Sequence, residues 1–158
     1  MKNVLNYFDG LVDIWYIYNE PIVDVGIKYL RDMCYPNKID FNLTNQAIYH
    51  MIIAHAMVVK CFKEGQYNGK IGSVLNHQHI YPRSQNAGDL EAAHTLDLMT
   101  QLCFEDPLLA GVLNEEWIAF LKEHHVIIEI QDGDLQLIKE NKIDVLGLNI
   151  YHPTRVKC

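Results

Sequence analysis

The stretch that decides the fold is LVDIWYIYNEP, residues 11–21. Apart from Asp13, its first eight residues are apolar, aromatic or β-branched, so they predict a buried strand over Leu11–Tyr18. Pro21 has no N–H to donate to a sheet, and the strand is therefore expected to end at Asn19-Glu20. The stretch predicts a strand that carries a carboxylate at its C-terminal end.

Two later stretches have the same apolar-to-polar character, Lys70–Asn76 (KIGSVLN) and Asp144–Tyr151 (DVLGLNIY). Helical patterns lie between the three predicted strands, and this alternation indicates an α/β fold with parallel strands. In such folds the functional residues gather at the C-terminal ends of the strands. Each predicted strand ends in polar residues, which are Asn19 and Glu20, Asn76, and Asn149 with Tyr151.

Spacing of apolar residues and stop signals predict the remaining elements. The clearest helix runs from Asn42 or Thr44 to Glu64, where Ile48, Ile52, His55, Val59 and Phe62 share one face. Residues 21–43 are predicted to form a long loop with at most a short helical turn, residues 77–86 are a second predicted loop, and Asp106-Pro107 is predicted to break the helix before it. The other predicted helices are the end of one within Met1–Gly10, then Asp89–Cys103, Glu115–His124 and Asp132–Glu140.

Composition excludes several function classes. The 158 residues are 49% hydrophobic and 21% charged, as in an ordinary globular domain, so a single domain over residues 1–158 is expected. The net charge of −7, without any Lys/Arg run, argues against nucleic-acid binding. No stretch reaches the roughly 18 apolar residues of a membrane span. The four cysteines form no C-x-x-C pair, and a cytoplasmic location is expected.

Glu20 is the first candidate for chemistry. A carboxyl group beside Trp15 and Tyr18 can be partly desolvated, and desolvation makes it a usable proton donor near neutral pH. Asn19 offers both a donor and an acceptor to a sugar hydroxyl. From these residues alone, a turn with a solvated glutamate is the more frequent explanation of Asn-Glu-Pro. No glycine-rich phosphate loop occurs, and neither a cofactor nor a metal is expected.

The run Trp15–Pro21 resembles the W-x-x-(F/Y)-N-E-P signature of family 1 glycoside hydrolases. Six further blocks resemble that family in the same order along the chain: Ala54–Ala56, Gly69–Asn76, Tyr81–Asn86, Asp89–Ala93, Phe104–Leu109 and Asp144–Tyr151. The sequences of Tyr81–Asn86 and Tyr151–Lys157 are most similar to those of the bacterial 6-phospho-β-glucosidase branch. The resemblance covers nearly the whole chain and implies the fourth to sixth βα units of a (β/α)8 TIM barrel, which needs at least about 200 residues when complete.

The resemblance implies a retaining hydrolysis in which Glu20 is the acid/base residue. It also implies that Asn19 binds the sugar 2-hydroxyl, that Tyr151 bonds the nucleophilic carboxylate, that Asn149 shapes the same strand end, and that Asn76 forms a wall of the pocket. The expected partner molecule is a small β-glucoside, in this branch 6-phosphorylated.

Departures from the family pattern leave a second hypothesis open. The position of Ile150 is usually aromatic, Gly111–Asn114 lacks the usual Gly-Glu-Tyr-Pro, and no Glu-Asn-Gly strand with a nucleophile occurs. The chain could therefore be a partial barrel without turnover, which the open strand edges would drive into homo-oligomers. A flavodoxin-like binding module is a third class, disfavoured by the missing phosphate cradle. His77-x-His79, lacking a third ligand, is expected to be a loop feature and not a metal site.

Overall fold

The computed structural model describes all residues, Met1–Cys158. Its centre is a three-stranded parallel sheet formed by β1 (Ile14–Asn19), β2 (Lys70–Asn76) and β4 (Val145–Asn149), with β2 in the middle. The prediction of three parallel strands is confirmed. A second sheet pairs the short parallel strands β3 (Ile80–Pro82) and β5 (Thr154–Val156).

Seven α-helices cover one face and the ends of the sheet. Their bounds are α1 Lys2–Phe8, α2 Pro21–Tyr29, α3 Phe41–Glu64, α4 Ala87–Asp97, α5 Cys103–Glu105, α6 Glu115–Glu123 and α7 Asp134–Glu140. Two π-helical segments, Leu98–Leu102 and Asp106–Ala110, join α4 and α5 to the chain that follows. None of the helices has the length and apolarity needed to cross a membrane.

Three predictions of local structure were wrong. The segment after Glu20 contains the 9-residue helix α2 and not merely a short turn, because Pro21 occupies the first turn of α2, where a missing N–H costs nothing. Asp106-Pro107 does not end the helical segment, because the proline is accommodated in a π-helical turn. That turn ends at Gly111, which has a φ of 76°. The predicted loop 77–86 also contains β3.

The long helix α3 organises the core. Asp40 caps it by accepting a hydrogen bond from the Leu43 N–H. One stripe of α3 packs against α2, α6 and the π-helical region in a cluster centred on the fully buried Trp117. A second, smaller cluster joins the end of α3 to the sheet and to α1 through Val59, Phe62, Ile71 and Leu5.

The strand pairing has two local features that affect the side chains at the strand ends, a close approach at Gly72 and a register shift in β1. A Cβ on Gly72 would lie 1.8 Å from the carbonyl oxygen of Val145, so the close approach of β2 and β4 requires glycine there. Between β1 and β2 the register shifts, because Tyr16 pairs with Gly72 but Asn19 pairs with Val74. The extra residue on β1 is a β-bulge, a feature that re-aims the side chains that follow it.

Candidate active site

Glu20 lies directly after β1, at the N-cap of α2, and is half-buried. Its backbone N–H continues the sheet by donating to the Val74 carbonyl oxygen at 2.8 Å. Its φ of 52° and ψ of 55° place it in the left-handed region. That conformation costs an L-residue about 1–2 kcal/mol, so the carboxylate stands on strained backbone.

The side chains at the ends of β1 and β4 meet at this carboxylate. Asn149 Nδ2 donates to Glu20 Oε1 at 2.8 Å and is also 3.0 Å from Asn19 Oδ1. Tyr151 Oη donates to the same Glu20 oxygen at 2.5 Å. Four of the five predicted site residues therefore form one hydrogen-bonded cluster. Its two halves are far apart in the sequence, since Asn149 and Tyr151 follow Glu20 by 129 and 131 residues.

The β-bulge explains how Asn19 reaches this cluster. Trp15 and Ile17 face the helices, where they pack on the small core cluster, and Tyr18 also faces α3 and its buried His55. Tyr16 lies on the opposite face, beside Gly147 of β4. With the extra residue, Asn19 falls on the face of Tyr16 and Gly147, which is the face that also presents Asn149.

The electrostatics of the cluster are those of one carboxylate held by neutral donors. Glu20 forms no salt bridge with any lysine, arginine or histidine. The pKa of the Tyr151 phenol is raised, chiefly because its hydroxyl donates to Glu20. Tyr151 and Asn149 are thus both neutral donors to the Glu20 carboxyl group.

Asn76 is the fifth predicted residue, and it lies beside the cluster without bonding to Glu20. It pairs in register with Asn149 at the ends of β2 and β4, and the next residue, His77, donates its N–H to the Asn149 carbonyl oxygen at 3.0 Å. Asn76 lines a cavity of about 430 Å³ at the same ends of the strands.

The histidines after β2 contact other side chains of the chain. His77 Nδ1 is 3.0 Å from a Glu105 carboxylate oxygen, and His79 stacks edge-on against Tyr81. No group of three or more His, Cys, Asp or Glu side chains is placed to hold a metal ion.

Several polar residues that line the cavity were not predicted from the sequence. Arg31 follows α2, Gln78 follows β2, and Gln101 sits on the π-helical segment between α4 and α5. No local motif marks these residues, because what they share is a wall formed by segments that are distant in the sequence.

The family model "Glycosyl hydrolase family 1" matches residues 1–158. The chain belongs to glycosyl hydrolase family 1. The family resemblance read from the Trp15–Pro21 run is thereby confirmed, and the protein is a glycoside hydrolase by family.

Among curated proteins, this family 1 chain is 38% identical over 157 residues to the 6-phospho-β-glucosidase GmuD of Bacillus subtilis, covering 99% of the chain and 34% of the relative. It is 28% identical to β-glucosidase A of Acetivibrio thermocellus, covering 93% of the chain and 33% of that protein. The chain thus spans about a third of the length of the relatives it matches.

Solved structures of family 1 members match the fold. The GH1 β-glucosidase of Exiguobacterium antarcticum superposes with a TM-score of 0.88 at 26% identity, over 99% of this chain and 35% of the other. The family 1 β-glucosidase of Thermotoga maritima superposes with a TM-score of 0.86 at 29% identity, over 99% and 34%. These neighbours are TIM barrels, and the predicted partial (β/α)8 barrel is confirmed, with β1, β2 and β4 as adjoining barrel strands.

Proposed function

We propose that this chain is the acid/base-bearing third of a retaining 6-phospho-β-glucosidase. The observation that carries the proposal is the single carboxylate of Glu20, held at the barrel-strand ends by Asn149 and Tyr151 in a family 1 chain. The 6-phosphate preference is supported by the similarity to the Bacillus subtilis enzyme alone, and not by a phosphate-binding residue in the Glu20 cluster. The four cysteines are free, which supports a cytoplasmic location.

In this mechanism Glu20 acts twice. As an acid it gives its proton to the glycosidic oxygen while a second carboxylate, outside these residues, attacks the anomeric carbon. As a base it then takes a proton from the water that hydrolyses the glycosyl ester. Asn19 binds the sugar 2-hydroxyl, Asn149 orients the acid, and Asn76 borders the site.

Tyr151 fits this proposal with one adjustment. The resemblance implies a bond from its hydroxyl to the nucleophilic carboxylate, whereas here the hydroxyl donates to Glu20. We propose that Tyr151 turns to the second carboxylate when one is present. A retaining site places the two carboxyl groups about 5–5.5 Å apart, a separation across which one exposed phenol can reach either group.

The test is a chimera, because hydrolysis needs both carboxylates. This chain replaces the 157 aligned residues of the Bacillus subtilis enzyme, and the product is assayed with p-nitrophenyl β-glucoside and its 6-phosphate. The proposal expects hydrolysis of the 6-phosphate and loss of that hydrolysis in Glu20→Gln.

Azide distinguishes an acid/base from a structural carboxylate. In the Glu20→Ala chimera, the dinitrophenyl group of a dinitrophenyl glycoside departs without protonation. Hydrolysis of the glycosyl-enzyme is then slow, because no base deprotonates the attacking water. Azide needs no base, so it should restore turnover and yield the β-glycosyl azide. A folded Glu20→Ala chimera with undiminished activity, or one in which azide restores nothing, refutes the assignment.

A second candidate function is favoured by one observation. Strands β1 and β4 each pair only with β2, and apolar side chains on these edge strands are exposed, among them Ile14 and Leu148. For the 158-residue chain expressed by itself, such edges favour self-association, and a single carboxylate favours no turnover. Assay of the purified 158-residue chain, compared with the chimera, separates the two candidates.

A further inference from the structure

Three cations surround a second, smaller cavity at the sheet formed by β3 and β5. Arg83, Arg155 and Lys157, together with Val156, line this cavity of about 250 Å³. No acidic residue contributes to its wall. In the sequence Arg83 stands 72 positions before Arg155, so no Lys/Arg run marks the cluster. The fold brings the three charges together.

The pairing of β3 with β5 explains how the cations meet. The two strands are parallel, with Tyr81 opposite Arg155. The Arg83 N–H donates to the Val156 carbonyl oxygen at 2.6 Å, so the pairing continues past the end of β3. Because side chains alternate between the two faces of a strand, Arg83, Arg155 and Lys157 belong to the same face. All three are exposed, whereas Val156 is half-buried.

The three cations are held in place but are not neutralised. Arg155 Nη2 donates to the Arg83 carbonyl oxygen at 2.8 Å, which fixes one guanidinium across the two strands. None of Arg83, Arg155 and Lys157 forms a salt bridge with a carboxylate of this chain. The chain as a whole has a net charge of −7, so a cluster of unpaired cations is not a result of its composition.

The carboxylate of Asp89 is near Arg83 but is bound by neutral donors. Asp89 is 5% exposed and accepts hydrogen bonds from the Ser84 hydroxyl at 2.7 Å and from the Cys158 N–H at 2.9 Å. Asn86 Nδ2 is a third donor, at 3.2 Å. The pKa of Asp89 is lowered first by the Ser84 hydroxyl and the Cys158 N–H, and less by the charge of Arg83. Asp89 therefore leaves Arg83 available to another anion.

The size and charge of the cavity match one phosphate group. Three positive charges around a small cavity repel one another, and an anion between them removes that repulsion. A phosphate monoester has a charge of about −1.5 to −2 at neutral pH and three acceptor oxygens, whereas a carboxylate has one charge and two oxygens. A pocket that encloses a whole ligand has about 300–1,000 Å³. The smaller volume found here suits an ionic group whose organic part stays outside.

We infer that Arg83, Arg155 and Lys157 form a binding site for the phosphate group of a small molecule. The two guanidinium groups present planar forks that match phosphate oxygens, and the lysine adds a third charge. The wall of this cavity shares no residue with the Glu20 cluster, so the inference goes beyond the proposed function and does not depend on it.

An aromatic surface lies beside the proposed site. Tyr81 is opposite Arg155 in the register of the two strands and belongs to the same face. Its ring is 46% exposed and packs edge-on against the ring of His79, with the two centroids 4.3 Å apart. The organic part of a phosphate monoester therefore has the Tyr81 ring to pack on.

The test measures binding and not hydrolysis. The purified 158-residue chain, labelled with ¹⁵N, is titrated with inorganic phosphate and separately with acetate, at an ionic strength held constant with sodium chloride. We expect phosphate to shift the amide signals of Arg83, Arg155 and Lys157 and to bind at least about fivefold more tightly than acetate. Phenyl phosphate, a monoester with a ring, should shift the same signals and that of Tyr81. The spectra also report whether the chain and each variant are folded.

Variants identify the cations that bind phosphate. Arg83→Met keeps an unbranched apolar side chain and should weaken phosphate binding about three- to tenfold, as expected for the loss of one exposed charged donor. Arg83→Lys keeps the charge without the fork and should recover part of that affinity. Lys157→Met should also weaken binding. Lys122→Met is the matched control, since Lys122 is exposed on α6 and outside this cavity, and it should bind phosphate as the unchanged chain does.

The chimera keeps the inference testable if the isolated chain gives no spectrum of a folded protein. Labelled only with ¹⁵N-arginine, it provides the signals of Arg83 and Arg155 in a complete barrel.

Three results in folded protein would overturn the inference. They are arginine signals in this cluster that phosphate does not shift, acetate binding as tight as phosphate binding, and phosphate binding by Arg83→Met and Lys157→Met that equals that of Lys122→Met. A carboxylate from the rest of the barrel that occupies the cluster would give the first result in the chimera. None of these results depends on turnover, so failure of this site and failure of Glu20 in the azide experiment are separate outcomes.

Discussion

The hydroxyl of Tyr151 lies 2.5 Å from the Glu20 carboxylate, across 131 residues of sequence. Because the phenol donates this bond, its protonated form is favoured and its pKa is raised above 10.0. We expect Glu20→Gln to lower the pKa of Tyr151 towards its ordinary value. The measurement is ultraviolet titration of phenolate, with Tyr151→Phe subtracted in each background to isolate this tyrosine. An unchanged Tyr151 titration in Glu20→Gln would show that the two groups do not interact in solution.

Asn149 holds the same carboxylate as a neutral donor. Asn149→Asp would replace an N–H donor 2.8 Å from Glu20 with a second negative charge. We expect hydrolysis by the chimera to fall by about 10- to 100-fold, the equivalent of losing one hydrogen bond to a charged group. Asn42→Asp is the control, because Asn42 is exposed on α3 away from the site. Equal activity of the two variants would show that Asn149 does not contribute to hydrolysis.

The buried His55 makes stability depend on pH. Burial lowers its pKa from 6.5 to about 4, so at pH 5 it is neutral in the folded chain and protonated in the unfolded one. The unfolded state then binds more protons, and the free energy of unfolding should fall by about 1 kcal/mol per pH unit between pH 6.5 and 4. Denaturant unfolding across this range should show a flatter profile for His55→Leu. The matched exposed variant, His50→Gln, should retain the full slope, and identical slopes for all three proteins would contradict the prediction.

Self-association should depend on the free edge of β1. Ile14 is 45% exposed on that edge strand, and a charge placed there disfavours edge-to-edge pairing. Light scattering at high concentration is expected to show oligomers for the unchanged chain and a shift towards monomer for Ile14→Lys. Met57→Lys places the same charge on α3, where Met57 is 58% exposed, and it should leave the oligomeric state nearly unchanged. A monomer for the unchanged chain would remove the second candidate function.

The periodicity of the sequence was sufficient for the elements that the core specifies. The strand Lys70–Asn76 was predicted with its observed bounds, and α3 was predicted to within a few residues. Both are set by the alternation or spacing of buried side chains, which local sequence displays. The meeting of Glu20 with Asn149 followed from one topological rule, that parallel strands bring their C-terminal ends together.

What escaped prediction depends on contacts between distant segments. The pairing of β3 with β5 joins two three-residue strands more than seventy positions apart, too short for an alternating pattern to be visible. The β-bulge in β1 exists only relative to β2. The cavity donors were missed because Arg31 and Gln78 carry no motif of their own, and their common feature is a shared wall.

The left-handed backbone of Glu20 has a consequence for how this chain can change over generations. Glycine or asparagine would occupy that conformation at lower cost, so the replacements that relieve the strain also remove the carboxyl group. Under the proposed function, stability and acid/base catalysis therefore favour different residues at position 20.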